Sequence, residues 1–265
     1  MKILIINGGS RCGNTWKLTM LVKKYLLLMS SNIEFTEIHL KNLNLPFCTG
    51  CSLCFRKGHI YCPHNNIIQK IMDEIEESDG VIFGAPTYNM QMPALTKNFI
   101  DHLCFMLHRP RYFSKKALVI STTGGVGAGN STEYMAGTMK GWGFNRCYKL
   151  PINTISWNNY LPTEKHKRKA KAVARKFYED IASRRLHSPS FSIMIPYNLF
   201  RAMSFDYLKG SEYETQDGVF WQEENRLNRA YAAGVPLPIF KRLFGNMFYF
   251  IGRKLSKHMI VTYKK

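Results

Sequence analysis

The stretch Lys2-Ile3-Leu4-Ile5-Ile6-Asn7-Gly8-Gly9-Ser10-Arg11-Cys12-Gly13-Asn14-Thr15 decides the fold. The apolar run Ile3 to Ile6 is too short for a secretory apolar core and reads as a strand buried on both faces. A polar, glycine-containing turn follows and leads into a helical pattern near Thr15 to Met29. Glycines let the backbone approach a ligand, and a helix start aims free N–H groups at it, so an anion such as phosphate belongs there. The turn has neither the Lys-Ser/Thr ending of a P-loop nor the G-x-G-x-x-G of a dinucleotide fingerprint. The competing reading is a plain glycine turn with Asn14 capping the helix.

Outward from this stretch the same alternation repeats. Ile33 to His39 alternates as a strand, Ile67 to Glu77 is helical, and Gly80 to Gly84 is a short buried strand. Pro93 suits the first turn of a helix whose apolar periodicity runs to about His108. Strands near Ala117 to Ser121 and Cys147 to Ile152 alternate with helices near Asn130 to Met139 and Glu164 to Ser183. Five βα units imply an α/β fold, a doubly wound parallel sheet with helices on both faces, over residues 1–185.

From 186 to 265 the alternation stops, and the chain reads as an aromatic, basic extension, mainly helical or irregular. Its last part holds one amphipathic helix near 238–256, with Phe240, Leu243, Phe244, Met247, Phe248, Ile251 and Leu255 at helical spacing. Packing against the sheet or a partner subunit, shaping a substrate pocket and lying on an anionic membrane are its three competing roles, with packing preferred.

Lys and Arg number 37 against 18 Asp and Glu, a net charge of +19. Such a field attracts anions, from phosphorylated cofactors to acidic partners, lipid headgroups and nucleic acid. The chain shows no nucleic-acid-binding module, which counts against the last. No uncharged apolar run approaches the roughly 20 residues that span a bilayer, so a cytoplasmic protein with reduced thiols is expected.

Ligands of open α/β sheets sit at the carboxyl ends of the strands, which directs attention to the loops after strands one, three and four. In the first, Gly9, Ser10, Arg11, Gly13, Asn14 and Thr15 offer backbone and side-chain donors. In the second, Pro86, Thr87, Tyr88, Asn89 and Met90 combine a stiff turn, an aromatic ring and an amide suited to walling a flat heteroaromatic ring. In the third, Thr122, Thr123, Gly124 and Gly125 expose backbone to a ring edge.

Four cysteines fall within one loop, 46–63, as Cys48-x2-Cys51-x2-Cys54-x7-Cys62 followed by Pro63. The tight spacing of the first three suits three corners of an iron-sulfur cubane. Zinc competes, although its ligands come more often as two separated pairs, and a loop without metal remains open. Buried thiols are the default reading for Cys104 and Cys147. Cys12, at a helix start beside Arg11, is the more reactive candidate.

Taken with these residues, the chain resembles the flavodoxin-like NAD(P)H-dependent FMN reductase family, near its iron-sulfur flavoprotein branch. Arg11, Gly13, Asn14 and Thr15 match the family's phosphate loop, with Gly9 or Ser10 in its serine's place. Gly84 to Tyr88 is similar to its G-x-P-x-Y segment, Lys97 and Asp101 to the pair that follows, and Thr122, Gly124 and Gly125 to its T-x-G-G turn. The tail, with Phe220-Trp221 and Tyr231, resembles an extension of some clostridial-type members.

The resemblance implies strand order 2-1-3-4-5, FMN as cofactor, NAD(P)H as donor, a quinone or flavin as small-molecule acceptor, and a homodimer. It implies no acid-base catalyst, because the flavin N5 carries the chemistry. Its alternative is an electron carrier exchanging electrons with ferredoxin through a 4Fe-4S cluster on Cys48, Cys51, Cys54 and Cys62. A flavin-binding regulator or membrane-surface protein comes third.

Overall fold

Ile3 to Ile6 are all buried because they lie in β1 (Lys2–Asn7), which pairs on one side with β2 (Glu34–His39) and on the other with β3 (Gly80–Gly84). With β4 (Lys116–Thr123) and β5 (Arg146–Asn153) they form a parallel sheet in the order β2-β1-β3-β4-β5. The structure is a computed structural model describing residues 1–256 and 258.

Alternation of side chains along each strand divides the core in two. Leu4, Ile6, Val81, Phe83, Ala117 and Val119 face one layer with residues of α3 (Asn65–Glu77), α4 (Ala94–His102) and α5 (Ala128–Gly141). Ile3, Ile5, Ile82, Leu118 and Ile120 face the other, with α1 (Asn14–Leu27) and α6 (Glu164–Ala182). A single-turn α2 (Leu53–Arg56) lies in the cysteine loop.

One expectation needs correction. The helix beginning after Pro93 stops at His102, and Cys104–Leu107 tightens into a 3₁₀ turn, started by an i to i−3 bond from Leu103 N to Ile100 O (3.0 Å). The extension is mainly helical, as expected. It forms α7 (Phe191–Met203), with Pro196 inside it, α8 (Gln216–Gln222) and α9 (Ile239–Ser256). Proline inside a helical pattern removes one ladder bond, and Pro196 concealed α7 from periodicity.

The extension carries a small core of its own, in which Tyr197, Trp221, Tyr231 and Val235 are buried and Phe113 and Leu186 pack against them. It is fastened to the sheet domain by polar bonds: His187 to Asp180 (2.6 Å), Asn145 Nδ2 to the His187 carbonyl (2.9 Å) and Trp221 Nε1 to the His108 carbonyl (3.0 Å).

Candidate functional site: a cavity at the carboxyl edge of the sheet

The ladder of backbone bonds does not stop at the strand ends. Gly8 N donates to the Gly84 carbonyl (2.7 Å), Ala85 N to Ile120 (3.0 Å), Thr87 N to Thr122 (2.9 Å) and Thr154 N to Thr123 (2.8 Å). These bonds carry the register into the loops, so the segments after β1, β3, β4 and β5 leave the sheet side by side. Between them lies a cavity of about 660 Å³, within the usual size range of small-molecule and cofactor sites.

Nearly all of the sequence-derived candidates line it. Gly9, Ser10, Arg11, Gly13, Asn14 and Thr15 form one wall, Pro86, Thr87, Tyr88 and Asn89 a second, and Thr122, Thr123, Gly124 and Gly125 a third. Met90 lies outside the lining. It sits against Gly127, where an added Cβ would come within 2.9 Å of its Sδ.

Local chemistry fixes each wall. The buried amide of Asn7 holds the first turn, accepting from Gly9 N (3.1 Å) and bonding His39 Nδ1 (3.0 Å). Thr15 and Thr122 share a hydroxyl bond (2.7 Å), which ties the first loop to the third. Thr87 Oγ1 bonds the hydroxyls of Ser121 (2.8 Å) and Ser131 (2.9 Å). Tyr88 and Gln91 exchange backbone bonds (2.7 and 3.0 Å) across Asn89 and Met90, both at positive φ, which is the signature of a type I′ turn. Tyr88 is thereby held, half exposed, at the cavity's rim.

The loop after β5 was not among the candidates, yet Ser156, Trp157 and Asn158 line the same cavity. Asn14 Nδ2 donates to the Ser156 carbonyl (2.9 Å) and Arg11 Nη2 to Asn158 Oδ1 (2.7 Å), drawing this loop over the first. Trp157 is 87% exposed and faces Gly124, whose added Cβ would lie 3.4 Å from its ring. An exposed tryptophan amid polar residues at the carboxyl end of the last strand was the available signal.

Two observations bear on what the cavity can hold. Gly13 starts α1 without a side-chain cap, so the first-turn N–H groups face the turn with no side chain satisfying them. Asn14 Oδ1 is buried without a hydrogen-bond partner. It requires a donor, which a phosphate dianion lacks and a sugar-alcohol hydroxyl provides. A ligand carrying both an anionic end and hydroxyls answers both.

Comparison with known proteins agrees with this geometry. The family model for NADPH-dependent FMN reductase matches residues 1–156. The chain belongs to this family. It is therefore a flavin-dependent oxidoreductase. An iron-sulfur flavoprotein of Clostridioides difficile (strain 630) is 30% identical over 178 residues, 67% of this chain and 78% of that protein. One from Archaeoglobus fulgidus is 28% identical over 231 residues, 84% of this chain and 99% of that protein. The azoreductase AzrA shares the fold, with a TM-score of 0.51 and 17% identity over 69% of this chain and all of its own.

The cysteine loop forms a second feature, held from two sides. Asn98 of α4 accepts from Cys48 N (3.0 Å) and donates to the carbonyls of Leu45 (3.2 Å) and Pro46 (3.0 Å). From the other side Arg109, its side chain 3% exposed, donates to the Cys54 carbonyl (2.7 Å) and pairs with Asp217 of α8. The extension therefore braces the loop.

Within it, Cys48 and Cys51 are exposed, Cys54 and Cys62 half-buried. Among the described residues no group of three or more Cys, His, Asp or Glu is placed to hold a metal ion. Cys54 instead bonds Cys104; that interaction, helped by burial, pushes the Cys54 thiol up, and it draws Cys104 down against its own burial. Sequence reasoning left Cys104 isolated, because nothing local connects it to a residue 50 positions earlier.

Proposed function

We propose that the protein is an FMN-dependent oxidoreductase that passes electrons from NAD(P)H to a small acceptor such as a quinone or free flavin. The observation that carries this reading is the convergence of the loops after β1, β3 and β4 on one cavity. The donor set fits FMN: the uncapped start of α1 suits the phosphate, and the unpartnered Asn14 Oδ1 suits a ribityl hydroxyl. An added Cβ on Gly125 would meet nothing within 4 Å, which leaves its backbone open to a ring edge.

When bound, FMN supplies the ring nitrogen that accepts hydride and releases electrons. The chain's own residues bind and orient. Thr15 and Thr122 fix the spacing of the loops after β1 and β4, Tyr88 would border a bound ring, and Arg11 would add positive charge beside a bound phosphate. Trp157 lines the cavity beside Gly124 and would shield one edge of a bound ring from water. NADPH dependence in the family's description supports a pyridine nucleotide as donor.

A second reading, an electron carrier that exchanges electrons with ferredoxin, is favoured by the spacing of Cys48, Cys51, Cys54 and Cys62 and by the relatives' names. Among the described residues no three of the thiols as folded are placed to hold one metal ion. An ultraviolet-visible spectrum of protein purified without oxygen, with flavin, iron and sulfide quantified on one sample, tests both readings. FMN with NAD(P)H turnover supports the first. FMN with about four irons per chain and no pyridine-nucleotide turnover supports the second. No flavin after reconstitution refutes both.

A further inference from the structure

The last helix is docked the wrong way round for an ordinary amphipathic helix, which buries its apolar stripe against the domain. α9 packs on α7 through Gly245, Gly252 and Ser256, its buried positions. The approach is close: a Cβ on Gly245 would lie 2.8 Å from Asn198 Nδ2, and one on Gly252 2.7 Å from Ala202 Cβ. Polar groups fill the seam. Asn198 donates to the carbonyls of Met194 (2.9 Å) and Ala230 (3.0 Å), and Arg201 bonds Asn198 Oδ1 (2.9 Å) and Asn246 Oδ1 (3.2 Å).

With small and polar residues innermost and Phe244, Phe248 and Tyr249 half-buried at the flanks, the remaining large apolar side chains point outward. Ile239, Leu243, Met247, Phe250, Ile251 and Leu255 are exposed, Leu243 and Phe250 at 65% each. At 100° per residue they occupy one arc, opposite Gly245 and Gly252. Phe240 extends the arc, and Phe191 of α7 packs beside it.

Charge selects the occupant. After Glu224 the sequence contains no acidic residue, while Arg226, Arg229, Lys241, Arg242, Arg253, Lys254, Lys257, Lys264 and Lys265 are all basic. Two copies meeting through this face would bring like charges together, adding to the repulsion of a chain at +19. A surface that accepts apolar side chains and carries negative charge satisfies both features. We infer that α9 is a membrane-surface anchor, lying in the plane of an anionic bilayer with Leu243, Met247 and Phe250 among the acyl chains, Arg242 beside that arc and Lys254 extending from within it to the headgroups. No helix among the described residues is long and apolar enough to span, so the contact is peripheral.

The test is sedimentation of the full chain with phosphatidylcholine vesicles, with and without phosphatidylglycerol. Binding to the anionic vesicles only, weakened by salt, is expected. Leu243→Asp with Phe250→Asp should weaken it by about tenfold or more, and Arg242→Gln with Lys254→Gln by about fivefold per charge. These side chains are exposed, so unchanged circular dichroism melting of each variant will show that the fold is retained. Absence of binding, equal binding to both vesicle types, or a Leu243→Asp, Phe250→Asp variant that binds like the parent would overturn the inference. So would a dimer that this variant converts to monomer without any vesicle binding, which assigns the face to a second copy.

Discussion

Replacing Asp217 with alanine removes the carboxylate that links the extension to the sheet domain. Asp217 accepts from Arg109 and bonds His108 Nδ1 (2.7 Å), while Arg109 also donates to the Cys54 carbonyl (2.7 Å) and lies over the Phe105 ring, 4.9 Å from its centroid. Burial already draws the Arg109 guanidinium below its ordinary value, and Asp217 opposes that. Without the carboxylate a guanidinium 3% exposed is left uncompensated. Breaking a buried pair costs about 3–5 kcal/mol. Arg109 keeps the Cys54 carbonyl and the Phe105 face, which places the loss at the lower end, about 3 kcal/mol.

Urea unfolding followed by circular dichroism measures it. Asp217→Asn, which can still accept from Arg109, should lose roughly half as much. Arg109→Met combined with Asp217→Leu should recover most of the loss, since replacing both charges removes the desolvation penalty as well. Faster thiol labelling of the cysteine loop should accompany Asp217→Ala. A loss below about 1 kcal/mol in that variant would refute the bracing role, because the ion pair would then be energetically idle.

Asn14→Ala should weaken FMN binding by about 0.5–1.5 kcal/mol, through loss of the site's unpartnered acceptor, with the bond to Ser156 lost as well. Flavin fluorescence titration checks it, and an unchanged Kd would remove Asn14 from the site. Gly127 has φ +99°, and a Cβ there would lie 3.0 Å from Met90 Cα. Gly127→Ala should therefore cost about 1–3 kcal/mol in stability and displace the Tyr88 turn; an unshifted melting temperature contradicts it.

Burial holds His102 below the ordinary histidine range, where its Nδ1 faces the Asn98 carbonyl (2.8 Å) and its Nε2 faces His64 Nδ1 (2.9 Å). The folded state thus binds fewer protons than the unfolded one as pH falls below about 6.5, so stability is full above that pH and declines beneath it. His102→Gln should flatten the stability profile between about pH 7 and pH 5. An unaltered slope would show that His102 contributes nothing.

Most of the sheet domain was legible because its signals are local. A strand buried on both faces declares itself in Gly80 to Gly84, and the glycine turn after β1 marks one wall of the cavity. Helix boundaries were less legible where tertiary bonding set them, as at His102. Residues 186 to 238 resisted reading because Pro196 interrupts the pattern and because Trp221 and Tyr197 are buried by contacts far away in sequence.

The sequence by itself determined the βα order, three of the four cavity walls and the basic, acid-free tail, since composition, spacing and short-range periodicity specify them. Only the tertiary structure decided which distant groups meet. Arg11 reaches Asn158, 147 positions away, Cys54 finds Cys104 rather than its loop neighbours, and Asp217 closes on Arg109. It also decided the orientation of α9. Periodicity shows that a helix has an apolar side, but the direction that side faces depends on which neighbour can approach closest, and Gly245 and Gly252 gave α7 that place.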